Sequence, residues 1–145
     1  YTLQGAFFWT PVFLGLITDR KELRNIYAAC DLLIFPSVYD NSPLVIQEAA
    51  AFNVPSVVVH DSSSAEGILD GVNGFLIRNE VAALAEKISH LIKNPGAIRK
   101  AGEGARRSLY HPWESVVDDV YHRYTELIRD HMIQDPGNEK TRAEE

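Results

Sequence analysis

The chain has 145 residues, 46% hydrophobic and 23% charged, a balance that fits one soluble globular domain with a core of its own. Its net charge of -6 is spread without a basic stripe, which excludes partners held by bulk positive charge, so neither nucleic acid nor an anionic lipid surface is expected. Cys30 stands alone, no run approaches the roughly 20 apolar residues needed to cross a bilayer, and the first residues lack a signal-peptide plan, so the sequence predicts a cytoplasmic protein with no disulfide framework.

In chain order, Tyr1 to Trp9 lacks an initiator Met and enters at once into aromatic, core-like sequence, which predicts a piece of a longer protein. Val12 to Leu16 is a short apolar run, read as a strand, and Asp19-Arg20-Lys21-Glu22 has the spacing of a capping box. The helix that follows carries Leu23, Ile26 and Tyr27 on one face. Asp31 to Pro36 then reads as a strand covered on both faces, because its apolar run is continuous.

Ser42 and Pro43 supply an N-cap and a first-position proline for a helix over Leu44 to Phe52. Asn53-Val54-Pro55 stops it, and Ser56 to Val59 is a β-branched buried strand. The loop His60 to Ser64 and a short helical stretch near Ala65 to Leu69 lead to a turn at Asp70 to Gly74, and Phe75-Leu76-Ile77 is the last strand. Asn79 is placed to cap a helix with Val81, Leu84, Ala85, Ile88, Leu91 and Ile92 on one stripe, and Asn94-Pro95 ends it and starts the next.

A longer amphipathic helix follows His111-Pro112, with Trp113, Tyr121 and Tyr124 in a wide apolar stripe. That stripe either packs on the domain's own sheet or is left exposed as a self-association patch. Residues 132–145 are polar and broken by Pro and Gly, and are predicted to form a disordered tail after a domain over 1–131. Four strand-helix alternations imply an α/β fold: a Rossmann-like parallel sheet with right-handed crossovers and helices on both faces. Ligands of such sheets sit beyond the carboxyl ends of the strands, which singles out the loops Ser37 to Ser42 and His60 to Ser64.

In the first loop, Asp40-Asn41-Ser42-Pro43 is either a turn with a helix cap, or an anion site made by the free N–H groups and macrodipole of the helix that follows. Glu48 interrupts an otherwise apolar helix and shares a face with Leu44 and Phe52. A carboxylate there costs several kcal/mol unless it is satisfied, either by backbone N–H groups or an Arg, or by facing a polar ligand such as a sugar. His60 is the only histidine on a candidate ligand loop, read either as a plain surface residue or as a phosphate or sugar contact. No Asp-x-Asp triplet and no His/Cys/Asp cluster at metal spacing occurs, so no metal or cofactor is expected. Asp118-Asp119 and Arg106-Arg107 read as solvated helix faces.

Asp40 and Glu48, separated by seven residues between "PSVY" and "EAAAFNVPSVVV", resemble the acid-x7-Glu signature of the group 1 retaining glycosyltransferases of GT-B fold, in their carboxyl-terminal nucleotide-sugar-binding domain. "VFLGLITDRKELRNIYAACDLLIFPS" and "SSSAEGILDGVNGFLI" resemble the segments that flank it, so the likeness covers about residues 12–131. It implies that Glu48 accepts the ribose hydroxyls of the donor, that Asp40 lies at the donor sugar as the catalytic acid of the pair, and that Asn41, Ser42, Pro43 and Leu44 form the loop approaching sugar or diphosphate. Pro43 has no N–H to offer, and Asp40 is one methylene shorter than the family's usual Glu.

Glu66 and Gly74 match the later segment, where Glu66 is expected to brace a helix start and Gly74 to need a positive φ. The resemblance further implies sugar transfer from a nucleotide-diphosphate sugar to an acceptor hydroxyl with retention, without a metal. The acceptor domain and the basic diphosphate clamp precede Tyr1, leaving this part inactive alone. A nucleotide-sugar epimerase of the same architecture and a receiver-like signalling domain are the alternatives.

Overall fold

The computed structural model describes residues 11–40 and 43–134, with side chains to 131. Three parallel strands, β1 (Leu33–Phe35), β2 (Ser56–Val59) and β3 (Gly74–Ile77), lie in the order β1-β2-β3. Helix α1 (Arg20–Ala29) precedes them, α2 (Leu44–Ala51) joins β1 to β2, and α3 (Val81–Ile92), α4 (Pro95–Ser108) and α5 (Trp113–Gln134) follow β3. The second crossover holds only a 3-10 turn over Ser63–Ala65.

β2 is central, and its four residues are all buried. Alternation along the strand sends Val57 and Val59, with Phe75 and Ile77, against Leu84 and Leu91 of α3 and Ile98 and Ala101 of α4. Val58 faces the other way with Leu33, Phe35 and Leu76, against Val45 and Ile46 of α2, Ala65, Ile68 and Leu109. Each fully buried valine contributes roughly 1.5 kcal/mol or more. Helices therefore cover both faces of a parallel sheet, as the strand-helix alternation implied.

Helix α4 comes closest to the rest of the fold through its small residues. Ala101, Gly102, Gly104 and Ala105 are buried, and a Cβ at Gly102 would lie 2.9 Å from the Asn53 carbonyl carbon and nearer still to its oxygen. Asn53 itself adopts φ 59° and closes α2, with N–H bonds from Asn53 to Ala50 O (3.0 Å) and from Val54 to Ala49 O (3.0 Å).

Several expectations are corrected. Val12 to Leu16 forms no strand, and Phe13 is 93% exposed: an apolar run becomes a strand only where another strand accepts its hydrogen bonds, and none does here among the described residues. Among the described residues β1 is not covered on both faces, since Ile34, on an outer strand of the sheet, is 43% exposed. Pro43 is the N-cap residue of α2 rather than its first helical position, and Glu80 rather than Asn79 precedes α3. Gly74 starts β3 without a positive φ; it is small because a Cβ would press on Ile68 (2.9 Å) and the Ser56 carbonyl (3.0 Å).

The aromatic stripe of α5 does not pack on the sheet: Trp113 is 77% exposed, and Tyr121 and Tyr124 lie open beside it. The helix itself runs to Gln134, and the rest of the expected tail lies outside the described residues.

Candidate functional site

The loops after β1 and β2 meet at the carboxyl end of the sheet, where the Ser63 hydroxyl donates to the backbone carbonyl of Asp40. Helix α2 begins beside them. Its first turn leaves the Leu44 and Val45 N–H groups without partners inside the helix, and the macrodipole makes that end favourable for an anion. Pro43 contributes no donor. Asn41 and Ser42 lie outside the described residues, so the expectations placed on them do too.

One turn further along, Glu48 is exposed. Helical spacing correctly put it on one face with Leu44 and Phe52, but that face turns away from the core, which α2 meets instead with Ile46, Ala49 and Ala50. The expected burial cost is therefore absent. Among the described residues neither a backbone N–H nor an Arg holds the carboxylate; the Tyr27 hydroxyl donates to Glu48 Oε2 at 2.9 Å. Tyr27 stacks on Phe52, ring centroids 6.0 Å apart and planes 15° off parallel. Its phenol is pushed up to about 12, first by burial and then by the hydrogen bond and charge of Glu48.

On the other flank of α2 a cleft of about 370 Å³ opens between the helix, the β2 loop and the α4–α5 junction, lined by Pro43, Gln47, Ser63, Ser64, Glu66 and His111 among others. Ser64 is buried there, and its hydroxyl has no partner among the described residues. Glu66 lines the cleft at the end of the 3-10 turn and does not brace a helix start.

The far wall is held by Asn73, 1% exposed. Its amide donates to Gly67 O (2.9 Å) and Ser108 Oγ (2.8 Å) and accepts from Leu69 N–H (2.6 Å), so that one side chain fixes the loop to the end of α4.

His60 is not brought to this cleft. It is exposed, with Nδ1 2.7 Å from Asp61 Oδ2, and Asp61 bends the loop at φ 61°. Arg106, expected to be merely solvated, reaches back to the Ala51 carbonyl at the end of α2 and packs its guanidinium over Tyr110, 5.3 Å from the ring centre. Asp40 follows β1, and Leu44 is the first residue of α2. The sequence reading missed Tyr27 as a partner of Glu48, and Asn73, Gln47 and His111. A tyrosine on the face of α1 carried a visible hydroxyl, but its partner lies 21 residues away. Among the described residues no group of three or more His, Cys, Asp or Glu is placed to hold a metal ion, and no helix is long and apolar enough to cross a membrane.

Known proteins place this arrangement. In the solved structures, residues of this chain superpose on sucrose-phosphate synthase from Thermosynechococcus elongatus with a TM-score of 0.71 at 24% identity, over 82% of this chain and 30% of that one. HepE from Anabaena, solved in complex with UDP, gives a TM-score of 0.62 at 25% identity over 70% of this chain and 29% of that one. Among curated sequences, the D-inositol 3-phosphate glycosyltransferase of Mycolicibacterium smegmatis is 29% identical over 120 residues, which are 81% of this chain and 27% of that relative. The chain thus spans under a third of the length of such relatives. The family described as Glycosyl transferases group 1 matches residues 11–108, more than half of the chain, and with the Rossmann-like sheet of the GT-B neighbours this shows that the chain belongs to the group 1 glycosyltransferases.

Proposed function

We propose that this chain is the donor-binding part of a glycosyltransferase that moves a sugar from a nucleotide-diphosphate sugar to an acceptor hydroxyl. The observation that carries the reading is Glu48: an exposed carboxylate on the second turn of α2, held by a phenol and separated by seven residues from Asp40 in a group 1 fold. A carboxylate oxygen at that place accepts two vicinal ribose hydroxyls well, while the unpaired N–H groups of Leu44 and Val45 suit the diphosphate. Charge building on the leaving diphosphate would be met by that helix end. Asp40 then serves the donor sugar. That a neighbour of similar fold is solved with UDP, and again with UDP-glucose, supports this choice of ligand class.

Retention at the anomeric carbon, independence of metal and a cytoplasmic setting belong to the same proposal and rest on the family resemblance. So does the expectation that this part alone is inactive, its acceptor domain and diphosphate clamp lying elsewhere in a longer protein. Membership of the family removes the receiver-like alternative.

The test is a titration of the chain with UDP, GDP and ADP, followed by backbone amide NMR shifts. At least one nucleoside diphosphate is expected to shift the Leu44 and Val45 amides, with binding weakened about tenfold in Glu48→Ala. Shifts from no nucleotide at millimolar concentration, or unchanged binding in that variant, would sink the reading. A UDP-sugar returned with one inverted ring carbon by the longer protein would point instead to an epimerase.

A further inference from the structure

Glu48 is a long, exposed side chain whose carboxylate, left to itself, samples several rotamers. Here one of its two oxygens is taken. The phenol that takes it is itself fixed: Tyr27 is half-buried and its ring lies 6.0 Å from that of Phe52, nearly parallel. Phe52 is the C-cap residue of α2, one turn beyond Glu48, and is locked by the left-handed Asn53 that closes the helix. The support therefore runs from Asn53 through Phe52 and the Tyr27 ring to Oε2 of Glu48, and it begins and ends on the same helix. No residue of α1 is fully buried, so a pure tether between α1 and α2 would have had Leu23 and Ile26 to work with; only Tyr27 spends a hydroxyl on the acid.

We propose that Tyr27 is a positioning residue for donor binding: by donating to Oε2 it fixes the orientation of the Glu48 carboxylate, with Oε1 turned free to accept from the ribose hydroxyls. The inference rests on the reading of Glu48 given above. It goes beyond it in assigning a role to α1, which otherwise contributes nothing to the site. The phenol holds its proton more tightly than an ordinary tyrosine, first through burial and then through Glu48, so it remains the donor of this pair across the physiological range. A carboxylate held in one orientation also selects for ligands that bring donors to one side, as the two adjacent hydroxyls of a ribose do.

Tyr27→Phe keeps the ring on Phe52 and removes the hydroxyl alone, so it separates positioning from packing. The chain, Tyr27→Phe, Glu48→Ala and the double variant are titrated with UDP and with 2′,3′-dideoxy-UDP. Tyr27→Phe is expected to weaken UDP about 3- to 10-fold, to leave the dideoxy analogue unchanged, and to add no loss in the Glu48→Ala background. Equal losses with both nucleotides would make Tyr27 a structural residue and overturn the proposal, as would unchanged UDP binding. If Glu48→Ala weakens UDP while Tyr27→Phe does not, only the positioning role fails. If Glu48→Ala itself binds UDP normally, the ribose reading falls and this inference falls with it.

Discussion

The two sides of helix α2 are built by opposite rules. Inward, Ile46, Ala49 and Ala50 are buried, Ile46 against Val58 of β2, and Gly102 of α4 lets its backbone come close to the Asn53 carbonyl just past the helix end. Outward, Leu44, Glu48 and Phe52 form a face that the sheet never meets, and its one well-placed polar contact comes from α1. The inward side holds the helix to the sheet by packing, where a single methyl group decides the outcome. On the outward side polar atoms are aimed and little stability is at stake. The contrast teaches that the acid in this helix is not a defect tolerated by the core: the core lies on the other side.

The largest expected effect falls on the inward side. Gly102→Ala drives a methyl group into the Asn53 carbonyl, which must give way together with the helix end it closes, and about 3 kcal/mol of stability is expected to be lost in denaturant unfolding. A loss below 1 kcal/mol would mean that α4 can slide away from α2 freely. Asn73→Ala comes next. It leaves the Leu69 N–H and the Gly67 carbonyl without their partner in a part-buried setting and takes one donor from the Ser108 hydroxyl, which still donates to the Gly104 carbonyl, at about 2–3 kcal/mol, and loosens the wall of the cleft. Glu48→Ala sharpens the comparison from the other direction. Exposed and paired only to a phenol, Glu48 is expected to cost under about 1 kcal/mol in the same unfolding measurement while costing about tenfold in nucleotide binding. A large destabilisation by Glu48→Ala would return the acid to the core.

Much of the inward side could be read from residue order alone. Ser56-Val57-Val58-Val59 announces a buried central strand, Asp19 caps α1 through its carboxylate, accepting from the N–H groups of Lys21 (2.6 Å) and Glu22 (3.1 Å), and Pro95 opens α4. These signals are local: backbone restriction, branching at Cβ and a side chain two or three residues from its partner. What escaped was set by distant neighbours. Periodicity places Leu44, Glu48 and Phe52 together, yet it is silent on which side of a helix meets the sheet, and the buried side here carries two alanines that look neutral in sequence. Val12 to Leu16 has the composition of a strand, but pairing is a property of two segments, and no second segment joins it among the described residues. Gly74 was read as a conformational glycine, whereas its smallness answers to Ile68 and Ser56, one of them eighteen residues upstream. The Asp40–Glu48 spacing was legible; the hydroxyl of Tyr27 aimed at Glu48 was not.

The α5 stripe gives a smaller effect. Trp113, Tyr121 and Tyr124 sit exposed on one helix, and an apolar surface of that kind is expected to drive concentration-dependent association in sedimentation, reduced in Tyr121→Lys with no change in unfolding midpoint. A chain that stays monomeric at high concentration would set this aside.

The smallest effect is the one that reads the outward side most directly. The Tyr27 phenol titrates near 12 in the folded chain against about 10 for an ordinary tyrosine, so folding favours its protonated form. Between about pH 10 and pH 12 the folded chain holds a proton that the unfolded chain has released, and stability must fall as the pH rises through that window. Below pH 10 the contribution is complete. Because the ring is half-exposed, its size is on the order of 1 kcal/mol rather than the full value of a two-unit shift. Tyr27→Phe has no such proton, and its stability curve is expected to stay flatter across the same window. Glu48→Ala removes the hydrogen bond and the charge but not the burial, so the phenolate absorbance should appear at lower pH than in the unaltered chain while remaining above the ordinary range. Parallel stability curves for the chain and Tyr27→Phe would mean that in solution the phenol is neither buried nor bonded to the carboxylate. Glu48 would then be an exposed acid free to turn, and the outward side of α2 would hold no aimed group at all.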